Sequence, residues 1–349
     1  MNINPSAITY GIYLPEQVLT NEDIERQHIV FPSGKLLTAE QIQAKIGVER
    51  RHIASKDETV ADMGYQAAKN LVTNPDDIAF LAVSTSHPTP YHVASEIQKR
   101  LQIQHAEALD FHTACTGTAR IFAYLHEHRQ RLAGKKVLVV AAEKFSPTVV
   151  SLTRPDAMTL DHSLGQTIFG DGAAAMRFIV GQDIITHAEI TKALPNPQGK
   201  TDLICMAMGE NTFVEPSITY HVVRSPYNKD FPEGYFTQDG PGVFGTIRTM
   251  MPDIIRETVH NAGFIATDID LVIIHPGSKR MVDTLQEALP EFQVYSDYAD
   301  GNMSSVSLLY SFIKALREER IGKGGKVILS GFGAGSPHLY SSTVAIELG

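Results

Sequence analysis

At 349 residues the chain is too long for one ordinary small core, which predicts two domains or two closely packed halves. A formal charge of −9 argues against nucleic acid as the main partner, because a phosphate backbone needs a basic stripe. The 43% hydrophobic and 20% charged shares are those of a soluble globular protein, and no apolar run approaches the ~20 residues that cross a bilayer.

Taken from the start, "MNINPSAITYGIYLPEQVLT" lacks the basic and apolar stretches of a secretory signal, so a cytoplasmic location with no membrane partner is expected. "VFPSGKLLTAEQ" (30–41) reads as a surface loop ending in a helix cap. "IAFLAV" (78–83) is a short continuous apolar run, as for a strand covered on both faces. Ile121, Phe122, Leu125 and Leu132 then keep helical spacing, and "KKVLVV" (135–140) is strand again. "FGDGAAA" (169–175) reads as a turn entering a close-packed strand. Residues 178–240 are less regular and hold the loop or hairpin compositions "LPNPQGK" and "SPYNKDFPEG".

From residue 268 onward the same order of elements returns. Asp77-Ile78 answers to Asp268-Ile269 at an offset of 191, and Lys136-Val137 to Lys326-Val327 at an offset of 190. "LVII" (271–274) and "KVILS" (326–330) are the second pair of buried strands, and Val306, Leu309, Tyr310, Ile313 and Leu316 mark the second helix. Alternating strands and helices imply mixed or mostly parallel sheets with helices on their faces.

The chain has two cysteines, and neither has zinc-like spacing. Cys115, in "DFHTACTGTARIF", lies where a strand ends and a helix starts. There unpaired backbone N–H groups favour a thiolate and can hold an oxyanion. Read alone, the residue is equally a buried, inert thiol. Cys205, in "TDLICMAMGE", has no such setting and reads as packing. His275 directly follows the strand "LVII", at the carboxyl end where ligands gather in α/β sheets. Asn302, in "DGNMSSVS", precedes the helix that answers to the Cys115 helix; an N-cap is the alternative, which Ser304 could equally supply. The repeat brings Cys115, His275 and Asn302 together from two related halves. "GFGAGSP" (331–337) precedes the strand-like "HLYSSTVAIEL", so it is not a dinucleotide fingerprint; it reads as a turn presenting backbone N–H groups to a reacting carbonyl.

"ACTGTA", a His after an apolar strand, "GNMSS", "FGDGAAA" and "GFGAG", in this order, resemble β-ketoacyl-acyl-carrier-protein synthase III. The likeness extends from "GIYLPEQVLTNEDI" and "KIGVERRHIA" to the last strand. It implies a thiolase-type five-layer αβαβα sandwich of two duplicated halves, residues 1–178 and 179–349, with 179–240 an irregular connection. It also implies a condensing enzyme: Cys115 accepts an acyl group from a thioester and joins it to a malonyl- or β-ketoacyl-carrier thioester. By position, His275 and Asn302 would stabilise the enolate, and the backbones of Cys115 and Ala334 would form an oxyanion hole. Phe169 would stand beside the nucleophile, and Lys279 and Arg280 would dock an acyl carrier protein, a solvated helix face being the alternative for these two. The resemblance further implies a homodimer with no bound cofactor or metal, its substrates carried on coenzyme A or phosphopantetheine.

Three departures point away from acetyl-CoA priming and toward a specialised member in polyketide, alkylresorcinol-like or fatty-acid-related biosynthesis. The chain has no Trp, "PGS" follows His275 where the family has "QAN", and "TPYHVASEIQ" differs at the acyl pocket. Two other functions stand beside condensation. One is same-fold transfer of the acyl group to an oxygen or nitrogen. The other is a non-catalytic partner subunit, against which the complete Cys–His–Asn set argues.

Overall fold

Two five-stranded sheets with the same internal order organise the chain. The computed structural model describes residues 8–30, 34–86, 89, 91–146, 165–201, 203–208, 234–335 and 337–349, for 205–208 and 234–237 in backbone only. In the first sheet the order is β1 (Thr9–Tyr13), β7 (Gly172–Ile179), β6 (Lys136–Glu143), β4 (Ile78–Ser84), β5 (Glu107–Phe111). In the second it is β8 (Ile184–Leu194), β14 (Leu339–Leu348), β13 (Lys326–Gly333), β11 (Ile269–Ile274), β12 (Val294–Tyr295). Each has three parallel strands followed by two antiparallel ones. Even an irregularity is duplicated. The register slips between Ile78/Lys136 and Phe80/Val137, and again between Ile269/Lys326 and Leu271/Val327.

The central strands are apolar throughout because helices cover both of their faces. Helices α3 (Val60–Ala68) and α4 (Val93–Arg100) pack on the outer face of the first sheet. Helices α7 (Gly240–Asn261) and α8 (Lys279–Ala288) lie on the outer side of the second. Between the sheets run α5 (Gly117–Glu127) and α9 (Ser305–Arg317), touching strands of both. The result is five layers, αβαβα, in a thiolase-type sandwich.

A helix enclosed by two sheets has no solvent face, which explains why α9 buries Ser305, Ser307 and Ser311 beside Leu308, Leu309 and Phe312. Phe122 of α5 stacks on Phe178 at 5.8 Å and meets Phe312 of α9 edge-on at 6.3 Å. Burying each of these rings contributes about 1.5–3 kcal/mol, so the two halves share one core.

Smaller elements complete the chain: helices α1 (Asn21–Glu25), α2 (Ala39–Lys45) and α6 (Arg129–Leu132), and two-stranded ribbons of β2 (Gln17–Thr20) with β3 (Arg50–Ile53) and β9 (Ile204–Met208) with β10 (Gly234–Gln238). Thr38 caps α2, its hydroxyl accepting from the Gln41 N–H at 3.2 Å.

The stretch 179–240, expected to be an irregular connection, holds an eleven-residue strand, β8, along one edge of the second sheet. Ile184, Thr186 and Ala188 are buried while Ile185, His187 and Glu189 are half-exposed, so the strand alternates rather than forming a continuous apolar run. "SPYNKDFPEG" lies outside the described residues apart from Gly234, which opens β10.

Candidate active site

The chain leaves β5 at Phe111 and turns through a 3₁₀ segment, Ala114–Thr116, into α5. The turn is tight enough to hold Ala114 at a φ of +47°, a left-handed conformation that costs a residue with a Cβ about 1–2 kcal/mol. In the other half Ser304 has a φ of +49° just before α9. These two positions lie 190 apart (304 − 114), the offset of the repeat. Both helix starts are bent alike and open on one cavity.

The cavity has a volume of about 590 Å³, and Cys115, His275, Asn302, Phe169, Ala334 and Arg280 all line it. Cys115 lies against the end of β13: a Cβ on Gly333 would come within 2.7 Å of the Cys115 Cβ and 3.2 Å of its sulfur. Only glycine allows that approach, which brings the 333–334 backbone beside Sγ.

His275 follows β11 directly. Its backbone N–H donates to the Ser330 carbonyl of β13 at 2.8 Å, and its ring meets Phe332 edge-on at 5.4 Å. The side chain is 2% exposed, and burial lowers its pKa to about 3, so the imidazole is neutral at physiological pH.

Asn302 is held by its backbone, its N–H donating to the Ile168 carbonyl at 2.8 Å while its own carbonyl accepts from Gly170 at 3.1 Å. Its Oδ1 accepts from the Ser304 N–H at 2.7 Å, which leaves Nδ2 toward His275 Nε2, 3.3 Å away. Ser304 occupies the N-cap position of α9 but makes no side-chain cap. Its hydroxyl turns instead to the Cys115 sulfur at 3.5 Å.

The lowered thiol pKa expected at a helix start is not what this environment produces. Burial pushes the Cys115 thiol up to about 12, the Ser304 hydroxyl opposes that shift, and the nearby Glu143 charge adds to it. Desolvation outweighs the favourable helix end, although Cys115 is only partly buried.

Glu143 went unnoticed in the sequence. It ends β6, is fully buried, and accepts hydrogen bonds from the Ser86 N–H (2.8 Å), the Ser86 hydroxyl (2.7 Å) and the Ser305 hydroxyl (2.6 Å). The available signal was a carboxylate closing the apolar run "VLVVAAE", where a surface turn would be the ordinary reading. By the 190 offset (333 − 143), Glu143 is the counterpart of Gly333, as Ser305 is of Cys115 (305 − 115). One half thus packs a cysteine on a glycine where the other packs a serine on a glutamate.

Phe169 stacks on Phe145 at 5.0 Å and bridges to Asn302 through the backbone. Arg280 lines the cavity, with its guanidinium 4.7 Å over the Phe244 ring. Lys279, one residue earlier on α8, faces away and pairs with Asp283 four residues on. Lys45, at the end of α2, is a cation of the cavity wall that the sequence did not single out. Cys205 lies in β9, and its side chain is outside the described residues. Among the described residues no helix is long and apolar enough to cross a membrane.

Comparison with known proteins agrees with this architecture. Residues 259–339 match the model of the family described as 3-Oxoacyl-[acyl-carrier-protein (ACP)] synthase III C terminal. The chain is 29% identical to a β-ketoacyl-[acyl-carrier-protein] synthase III of Agrobacterium fabrum, over 93% of this chain and 94% of that one. Among solved structures, 3-oxoacyl-[acyl-carrier-protein] synthase III from Aquifex aeolicus superposes with a TM-score of 0.75 at 24% identity, covering 98% of this chain and 99% of the other. The priming β-ketosynthase from the R1128 polyketide biosynthetic pathway shares the fold at a TM-score of 0.75 and 22% identity, covering 98% and 96%. The chain is an acyltransferase, similar over nearly its whole length to β-ketoacyl-acyl-carrier-protein synthase III condensing enzymes.

Proposed function

We propose that Cys115 takes an acyl group from a thioester and condenses it with a malonyl- or β-ketoacyl-carrier thioester. The observation that carries this reading is the meeting of Cys115, His275 and the Asn302 amide on one cavity. In the first step the sulfur attacks the donor carbonyl and the donor thiol departs, leaving an acyl-cysteine. The backbone N–H groups of Cys115 and Ala334 hold the oxyanion formed on the way.

In the second step the extender thioester loses carbon dioxide, and its electron pair passes into an enolate. His275 Nε2–H and Asn302 Nδ2–H donate to that oxygen. A neutral imidazole suits the task, since it donates without exchanging a proton with solvent. The carbanion then attacks the acyl-cysteine, the C–S bond breaks, and a β-keto thioester leaves.

The walls favour an apolar acyl chain: Phe145, Ile168, Phe169, Phe332 and Leu339 line the cavity, whose volume falls in the range of small-molecule sites. With no Trp in the chain and "PGS" after His275, we place it in specialised polyketide or fatty-acid-related synthesis, working as a homodimer without a bound cofactor. Arg280, at the cavity, is the better-placed cation for an acidic carrier protein or its phosphopantetheine; Lys279 is already paired. The test is product analysis with acyl-CoA and malonyl-carrier substrates. Release of carbon dioxide together with a β-keto product is expected, and acyl transfer without carbon dioxide would overturn the condensation.

A further inference from the structure

Cys115 needs an acceptor for its proton. Among the described residues the hydrogen bond to its sulfur comes from Ser304, not from His275. Ser304 Oγ lies 2.7 Å from Ser86 Oγ, and Ser86 Oγ lies 2.7 Å from a Glu143 carboxylate oxygen. Each hydroxyl has a single proton to give. Glu143 accepts from Ser86, so the relay requires the Ser304 hydroxyl, which donates to the sulfur at rest, to turn its proton to Ser86 and take the one on sulfur.

We infer that Glu143 is the proton acceptor for Cys115, acting through Ser86 and Ser304. This rests on the proposed role of Cys115 as the acylated nucleophile. As sulfur forms its bond to the acyl carbon, its proton moves to Ser304 Oγ, that of Ser304 to Ser86 Oγ, and that of Ser86 to the Glu143 carboxylate. The departing thiolate takes a proton from solvent, and Glu143 returns its own along the chain when condensation frees the sulfur. The site carries one negative charge before loading, none in the acyl-enzyme, and one again when condensation frees the sulfur.

The surroundings suit that exchange. Thr85 and Ser86, just past β4, and Ser305, at the start of α9, face Glu143, while Ser304 meets Ser86. Lys144, the next residue, turns away to the carbonyls of Ser55, Lys56 and Glu58. Asp171 is engaged by the N–H groups of Ala54 and Ser146. Among the described residues, the Ser304–Ser86 hydroxyl chain joins Glu143 to Cys115. Glu143, which does not line the cavity, is a positioning residue in this scheme, and Ser86, which does, passes the proton to it.

The test is the rate of Cys115 alkylation by iodoacetamide, mapped by peptide mass between pH 6 and 9.5. The wild-type rate should be nearly flat with pH. Ser86→Ala keeps the Ser305 and backbone bonds to Glu143 but cuts the chain. Its alkylation should be about 100-fold slower at pH 7 and should rise about tenfold per pH unit, in line with the loss of a positioned base. Glu143→Gln should behave alike. A Ser86→Ala profile parallel to that of the wild type, whether equal or uniformly lowered, would overturn the relay. Alkylation reads proton loss without an acyl donor, whereas loading by acyl-CoA reads the proposed function, so the two can fail separately.

Discussion

Replacing Asn302 by Ala removes two things: the Nδ2 donor toward the enolate and the Oδ1 acceptor of the Ser304 N–H. A preorganised donor aimed at developing charge is worth about 2.7–4 kcal/mol, so condensation should slow by roughly 10²–10³. Acyl loading uses the sulfur and backbone N–H groups and should persist. The orphaned, buried Ser304 N–H should cost about 1–3 kcal/mol of stability. Asn302→Asp separates the two effects, because it keeps an oxygen for Ser304 but offers the enolate no donor. Loading is read by intact-protein mass, condensation by single-turnover carbon dioxide release, and stability by denaturant unfolding. Both variants should load and fail to condense, with Ala alone losing stability. An Asp variant that condenses like the wild type, or loss of loading in both, would refute the assignment.

Two further outcomes can be stated. Because burial holds His275 at a pKa of about 3, below its unfolded value, the unfolded chain binds more protons between there and about 6.5. Stability is full above that window and falls as pH drops through it, by up to about 1.4 kcal/mol per pH unit. Denaturant unfolding of His275→Gln at pH 7, 6 and 5 should show a shallower acid loss, and an unchanged slope would count against it. Arg280→Glu should raise KM for carrier-bound substrates more than for coenzyme A esters, with Lys279→Glu much weaker; steady-state kinetics on both substrate types would expose equal effects.

The duplicated frame was legible because buried parallel strands are written as continuous apolar runs, and the Asp-Ile and Lys-Val anchors sit at the same register slip in each half. The alternating pattern of β8 hid a strand inside what looked like a connection. Cys115 was visible as a residue at a helix start, but its thiol pKa depends on walls supplied by the other half, nearly two hundred residues away. Glu143 escaped for a similar reason: its partners, Ser86 and Ser305, come from two other segments of the chain. Lys279 and Arg280 looked alike as neighbours, yet successive helical positions turn about 100°, so one lines the cavity and the other meets Asp283.

The account stands most directly on the chemistry of one sulfur. Incubating the protein with a panel of acyl-CoA and acyl-carrier donors, then mapping the added mass by peptide sequencing, should find a single acyl group on Cys115 and none in Cys115→Ala. An acyl group on Cys205, or product formation undiminished in Cys115→Ala, would contradict it.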